Sequence, residues 1–195
     1  MNYKHHIIRN FPNGYPLWKK VVANIIFFFG GIIIHKRKNN LNSVDLMKAN
    51  YKLKSGDVVL VGGLRRLSHL FIGDKVTHSL LYIGRRTFIH SIADGVEEVA
   101  MSDVFSEYDT MMILRLKTNK KTIKTAILYA KKQIGKPYDF EFKKNNGKFY
   151  CAELIKSAFD SAGFKIKTPN PKNKIIYPAD FIGESFKTVF LSHNL

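Results

Sequence analysis

Three patterns of apolar spacing follow one another along the chain. The first is a nearly unbroken run, VVANIIFFFGGIII at 21–34, interrupted by Asn24 and a glycine pair. Lys19 and Lys20 precede it, and His35, Lys36, Arg37 and Lys38 follow. The second is a series of short runs rich in β-branched and aromatic residues: GDVVLVGG (56–63), THSLLYIG (77–84), RTFIHSI (86–92), GVEEVAM (95–101) and TMMILRLK (110–117). Such runs, bounded by glycines and polar residues, predict strands, and Gly84, Arg85 and Arg86 are short enough to join two of them as a hairpin. Strands that succeed one another so closely predict a mostly antiparallel sheet.

The third pattern is helical. KKTIKTAILYAKKQIG (120–135) places Ile123, Ala126, Ile127, Ala130 and Ile134 on one face and stops at a glycine. YCAELIKSAFDSAGF (150–164) turns Leu154, Ile155, Ala158 and Phe159 inward. Between them, KPYDFEFKKNNGKF (136–149) carries an Asn-Asn-Gly turn and reads as an irregular loop. KNNLNSVD (38–45) reads as a linker into a short helix, with Ser43 or Asp45 as its cap, and LRRLSHLFIG (64–73) as a short helix or a loop over the sheet. Pro178, Ala179 and Asp180 predict a last short helix with Asp180 capping it. The fold class is α+β: a small antiparallel sheet covered by helices on one side.

Charge adds a partner class. Lysine and arginine exceed aspartate and glutamate by 17, and residues 1–55 hold ten of the cations against one acid, Asp45. Such an excess draws anionic surfaces without naming them, and no nucleic-acid recognition motif accompanies it, so a specific nucleic-acid partner is not expected. The residues divide into a basic amino-terminal segment with an apolar helix, 1–54, and a main domain, 55–195. As a helix the 21–34 run measures about 21 Å, short of the roughly 30 Å hydrocarbon core, so it does not predict a transmembrane span. HKRKNN stands where a signal peptide would have its cleavage site, so the segment is expected to stay. Two readings remain open: residues 17–38 lie on an anionic membrane surface, or the run is an element of the protein core. The expected location is cytoplasmic, with peripheral membrane association under the first reading.

Cys151 is the sole cysteine, which excludes an intramolecular disulfide, a cysteine zinc site and a CxxC redox pair. It falls at the start of a helix, where free amides and the macrodipole stabilise a thiolate. A buried, inert filler is the alternative for an unpaired cysteine beside apolar residues. A nucleophilic thiol needs a base and a group that orients the base. His78 and His90 fall in adjacent predicted strands, roughly opposite one another across the hairpin and facing one side.

THSLLYIGRRTFIHS (77–91), IGKPYDFEF (134–142) and FYCAELIKSAF (149–159), together with GDVVLVGG and the late YPADF, resemble the circularly permuted NlpC-type papain-like proteins, especially the YiiX/YebB-like group. They are also similar to the lecithin:retinol acyltransferase branch. The resemblance covers about 55–185. It implies a permuted papain-like catalytic domain with Cys151 as nucleophile, His78 as general base and acid, and His90 as the orienting residue. That third position is often glutamate in the permuted proteins, and Glu97 and Glu98 are the fallback candidates. The implied activity is a cysteine hydrolase or acyltransferase that cleaves an amide or ester of a peptide or acyl-lipid, without cofactor or metal. The competing reading is a catalytically inactive module of the same fold that binds membrane surfaces. Oligomeric state is not legible in these residues.

Overall fold

The computed structural model describes residues 7–30, 41–63, 76–143, 146–167, 175–193 and 195. Six strands form one sheet: β1 (Val58–Gly62), β2 (His78–Gly84), β3 (Thr87–Ile92), β4 (Gly95–Ala100), β5 (Thr110–Leu116) and β6 (Phe186–Leu191), in the order β4-β3-β2-β1-β5-β6. Every neighbouring pair is antiparallel. The helices are α1 (Leu17–Gly30), α2 (Ser43–Lys52), α3 (Met101–Glu107), α4 (Lys120–Lys132) and α5 (Cys151–Ser161), with a 3-10 turn at Pro178–Phe181. The sheet and the two long carboxy-terminal helices thus follow the sequence pattern. β6 and α3 do not, because the tail reads as turns and 102–109 carries no strong period.

Strand alternation sorts the core into two layers. Val58, Leu60, Leu81, Ile89, Val96 and Leu114 face α4 and α5, where Ala126, Ala130, Leu154, Ile155, Ala158 and Phe159 meet them. Val59, Val61, Leu80, Tyr82, Phe88 and Met111 face the other way, against Ala49 of α2 and Val104 and Phe105 of α3. Helices therefore cover both faces, not one. The second cover is built from two short helices, and β1, buried along its whole length, needs a cover on each side.

Local chemistry corrects two capping assignments and bears out one turn. Asn42 is the cap of α2: its side chain accepts from the Asp45 amide at 2.9 Å while the Asp45 carboxylate accepts from the Asn42 amide at 3.3 Å. Asp180 does not cap the last turn but reaches back from its third position to accept from the Tyr177 amide at 2.8 Å. The β2–β3 turn runs through Arg85 and Arg86 at φ 52° and 58°, the left-handed pair a two-residue hairpin demands, here met by arginines. The segment read as a helix or loop at 64–73 lies outside the described residues, as do 31–40 of the apolar run and its basic flank.

One buried ion pair ties the sheet's centre together. Asp57, 1% exposed, receives both Nε and Nη2 of Arg115, at 2.8 and 2.7 Å, and the same guanidinium donates to the Lys52 carbonyl. The bidentate geometry and the Lys54 amide at 2.8 Å saturate a carboxylate that would otherwise be costly to bury.

Candidate active site

A kink in one hairpin decides which face the histidines share. Leu81 pairs with Ile89 and Tyr82 with Phe88, but Gly84 pairs with Thr87, so the register slips by one between Tyr82 and Gly84. Without the slip, His90 would take the parity of Leu81 and turn away from His78, because a one-residue shift flips every side chain. With it, both histidines lie on the face of Leu80, Tyr82 and Phe88. By this register His90 stands opposite Leu80, so the two are diagonal neighbours and not directly opposed as their distance from the turn predicts.

Their rings meet. His78 Nε2 lies 3.0 Å from His90 Nδ1, and His90 Nε2 lies 3.3 Å from a carboxylate oxygen of Glu97, its cross-strand partner on β4. His90 is buried at 4% exposure, and His78 stacks on Tyr108 with centroids 5.9 Å apart. The chain has one consistent proton arrangement while both imidazoles are neutral. The carboxylate can only accept, so His90 carries its proton on Nε2 and offers the Nδ1 lone pair. His78 must then donate from Nε2, which makes its Nδ1 the basic nitrogen. Glu97, a fallback candidate from sequence that reads there as a solvated charge, is thus the far end of a relay. Glu98 faces the other way and pairs with Lys131 at 3.7 Å.

The thiol approaches from the opposite layer. Cys151 opens α5, with Tyr150 as the N-cap residue, and the loop before it is laced to the sheet: Ser91 Oγ donates to the Phe149 carbonyl, and the Val96 and Gly135 amides exchange bonds with the Lys136 and Val96 carbonyls at 2.9 and 2.8 Å. Gly95 makes that lacing close, since at φ 107° a Cβ there would run into the Lys136 carbonyl. The sulfur sits against Ser79 and the amides of Cys151 and Ala152, which hold its pKa down, but burial outweighs them and pushes the thiol above its ordinary value. Position at a helix start predicts the reverse; desolvation of a residue only 7% exposed is the reason it fails here.

The structure therefore brings His78 to His90 and seats Cys151 beside Ser79, the next residue along β2. The thiol's hydrogen-bonding neighbours are Ser79 and helix amides, not an imidazole. Ser79 was legible by parity, since it must face α5 if His78 does not. Its hydroxyl has no aligned hydrogen-bond partner among the described residues. Asp139, fully buried in the loop ahead of Cys151, likewise leaves Oδ2 unpartnered there, with Tyr138 and Tyr150 close enough to feel its charge. Both tyrosines are pushed up by burial, Tyr150 to about 12, so they are neutral phenols and not phenolates, and the Tyr150 hydroxyl accepts from the Ile176 amide at 3.1 Å.

Known proteins share this arrangement of chain and fold. The crystal structure of the metalloprotein yiiX from Escherichia coli O157:H7 matches with a TM-score of 0.59 at 15% sequence identity, covering 71% of this chain and 97% of that one. At that identity the likeness is one of fold. Among the described residues no three His, Cys, Asp or Glu side chains gather to hold a metal ion. None of the curated proteins compared with the sequence matches it. The family of permuted papain-like amidase enzymes, YaeF/YiiX or C92, matches residues 52–191, the whole of the sheet and the helices around the thiol, and the chain belongs to that family.

Proposed function

We propose that this amidase-family protein is a cysteine hydrolase with Cys151 as nucleophile, His78 as base and acid, and His90 and Glu97 fixing the base. The observation that carries the reading is the relay itself: His90, bonded at 3.0 Å to His78 and at 3.3 Å to Glu97, leaves Nδ1 as the only basic nitrogen of His78. In the reaction, the thiol proton passes to that nitrogen and the sulfur bonds the substrate carbonyl carbon. His78 returns the proton to the leaving amine or alkoxide as the bond to it breaks. Water, or a second acceptor, then attacks the thioester and restores the thiol. The amides of Cys151 and Ala152 stand at the helix start where an oxyanion would form. His78 and the sulfur lie on opposite faces of β2, Cys151 beside Ser79, so the reading requires the His78 ring to swing round the start of the strand to reach the thiol.

The test offers peptide, acyl-amide and acyl-ester substrates to the full chain and reads intact mass. An acyl adduct on Cys151 is expected, absent in Cys151→Ala, with His78→Ala slowed at least about 100-fold. Undiminished turnover in Cys151→Ala would overturn the mechanism. The burial and raised pKa of the thiol favour a second reading, a papain-like module that binds without catalysis. Its signature would be a folded protein whose Cys151 resists an electrophilic acyl probe at neutral pH in the presence of every substrate class.

A further inference from the structure

The helix α1 divides cleanly around its axis. Leu17, Trp18, Val21, Val22, Ile25 and Ile26 cover about half of its circumference at 100° per residue, and they are 79%, 66%, 53%, 44%, 49% and 62% exposed. The other half holds it to the protein. Ala23 is buried, Asn24 accepts from the Ile8 amide, Phe27 stands edge-on to Phe140 at 5.9 Å, and Lys19 Nζ pairs with Glu141 at 2.9 Å. A contiguous apolar face of this size on an anchored helix is not ordinary surface, and it is oriented, because its back is fixed.

We propose that this face of α1 is a docking surface for an anionic phospholipid bilayer, with the loop ahead of Cys151 packed against the other side of the same helix. Three observations select this occupant. The chain carries 17 excess positive charges, ten cations against one acid in residues 1–55, so a second copy of the chain would meet like charge while an anionic bilayer meets its complement. No helix among the described residues is long and apolar enough to cross a membrane, so the face lies along the interface and does not span it. Trp18 and Lys19 stand together at the start of the apolar face, the ammonium 5.7 Å from the indole centroid, the residue pair that suits a headgroup boundary.

The coupling to the site comes from the anchors. Phe11, Tyr15 and Phe27 surround Phe140, and Glu141 holds Lys19, so two of the anchors of α1, Phe27 and Lys19, meet the 136–149 segment that leads to the nucleophile. An amphiphilic substrate drawn from the bilayer would pass α1 and reach this segment on the helix's other side; that consequence deepens the proposed function and rests on Cys151 being the nucleophile.

Trp18 is the sole tryptophan, so it reports on α1 directly. The full chain is mixed with phosphatidylcholine vesicles with and without phosphatidylglycerol, and Trp18 emission and co-sedimentation are followed. The expected result is a blue shift and sedimentation with the anionic vesicles, at least about tenfold weaker with neutral ones or in Val22→Glu/Ile26→Glu, whose substituted side chains are exposed and leave the fold intact. Equal binding by that variant, equal binding to neutral vesicles, or concentration-dependent dimerisation that the variant abolishes would each overturn the proposal. Cys151→Ala is expected to bind vesicles as the parent does. Vesicle binding without any acyl adduct therefore sinks the catalytic reading alone, and adduct formation without vesicle binding sinks the docking alone.

Discussion

Two helices, α1 and α5, are rich in apolar residues, yet one turns them to solvent and the other to the core. In α5, Leu154, Ile155, Ala158 and Phe159 recur at helical spacing and are fully buried, with Lys156 and Asp160 on the outer face paired to each other. In α1 the polar positions Lys19, Lys20 and Asn24 all fall on the half that meets the protein, so a wholly apolar half remains outside. Period, not content, separates a core helix from one that awaits a partner. The sequence alone leaves α1 between core and membrane because Asn24, the one polar residue within 21–34, does not by itself say which side is out.

The largest expected contrast comes from truncating one residue in each helix. Leu154→Ala removes a side chain with no exposure and should cost about 2–5 kcal/mol in urea unfolding of the full chain. Ile26→Ala, at 62% exposure, should stay within about 0.5 kcal/mol in vesicle-free buffer. A cost for Ile26→Ala approaching that of Leu154→Ala would mean α1 is packed against the protein in solution, and the two helices would not differ in kind.

How much of this was readable from residues alone follows from the range of the interactions. The strands β1 to β5 and helices α4 and α5 are written in local periods, and His78, His90 and Cys151 fall on them at positions sequence can number. The slip at Gly84 that turns both histidines to one face is not local in that sense; it depends on which of several turn registers the two strands adopt. Glu97 has the same origin: its place opposite His90 is a property of the β3–β4 register, so from sequence it looks like one of two solvated glutamates. Asn42 outcompetes Ser43 and Asp45 as a cap because the reciprocal bond with Asp45 satisfies two amides at once, a pairwise gain that single-residue preference does not show. Strand β6 was invisible because its partner, β5, lies more than sixty residues earlier in the chain, and FKTVFL carries too few alternations to stand alone.

The second contrast concerns chemistry at the buried helix's start. Because burial pushes the Cys151 thiol above its ordinary value, the free protein at neutral pH holds it as the neutral thiol. Iodoacetamide alkylation, which needs the thiolate, should therefore rise about tenfold per pH unit across the neutral range and reach its midpoint above the ordinary thiol value. A midpoint below neutrality would show that the helix amides win over desolvation after all, and would make Cys151 resemble the preformed thiolates of other helix starts. Substrate or vesicles that lower the midpoint would locate the change at closure of the site.

The smallest effect tests the link between the two regions. Glu141 is held down to about 2 chiefly by its hydrogen bond to Lys19, with Lys143 adding to it. A carboxylate whose folded pKa is depressed adds stability that is fully present above its ordinary value of 4.5 and is lost as pH falls through about 2. Lys19, raised by the same partner, adds its share below its ordinary value of 10.5 and loses it as pH rises beyond. The pair is partly exposed, so salt screens it and the tether should weaken with ionic strength as well. Glu141→Gln should leave global unfolding nearly unchanged while flattening the acid-side change in Trp18 emission, because only the hold of α1 on the 136–149 segment is relieved. If the parent's Trp18 emission shows no acid transition distinct from unfolding, or if Glu141→Gln keeps one unaltered, the ion pair does not govern where α1 sits, and the aromatic contacts to Phe140 alone carry the coupling.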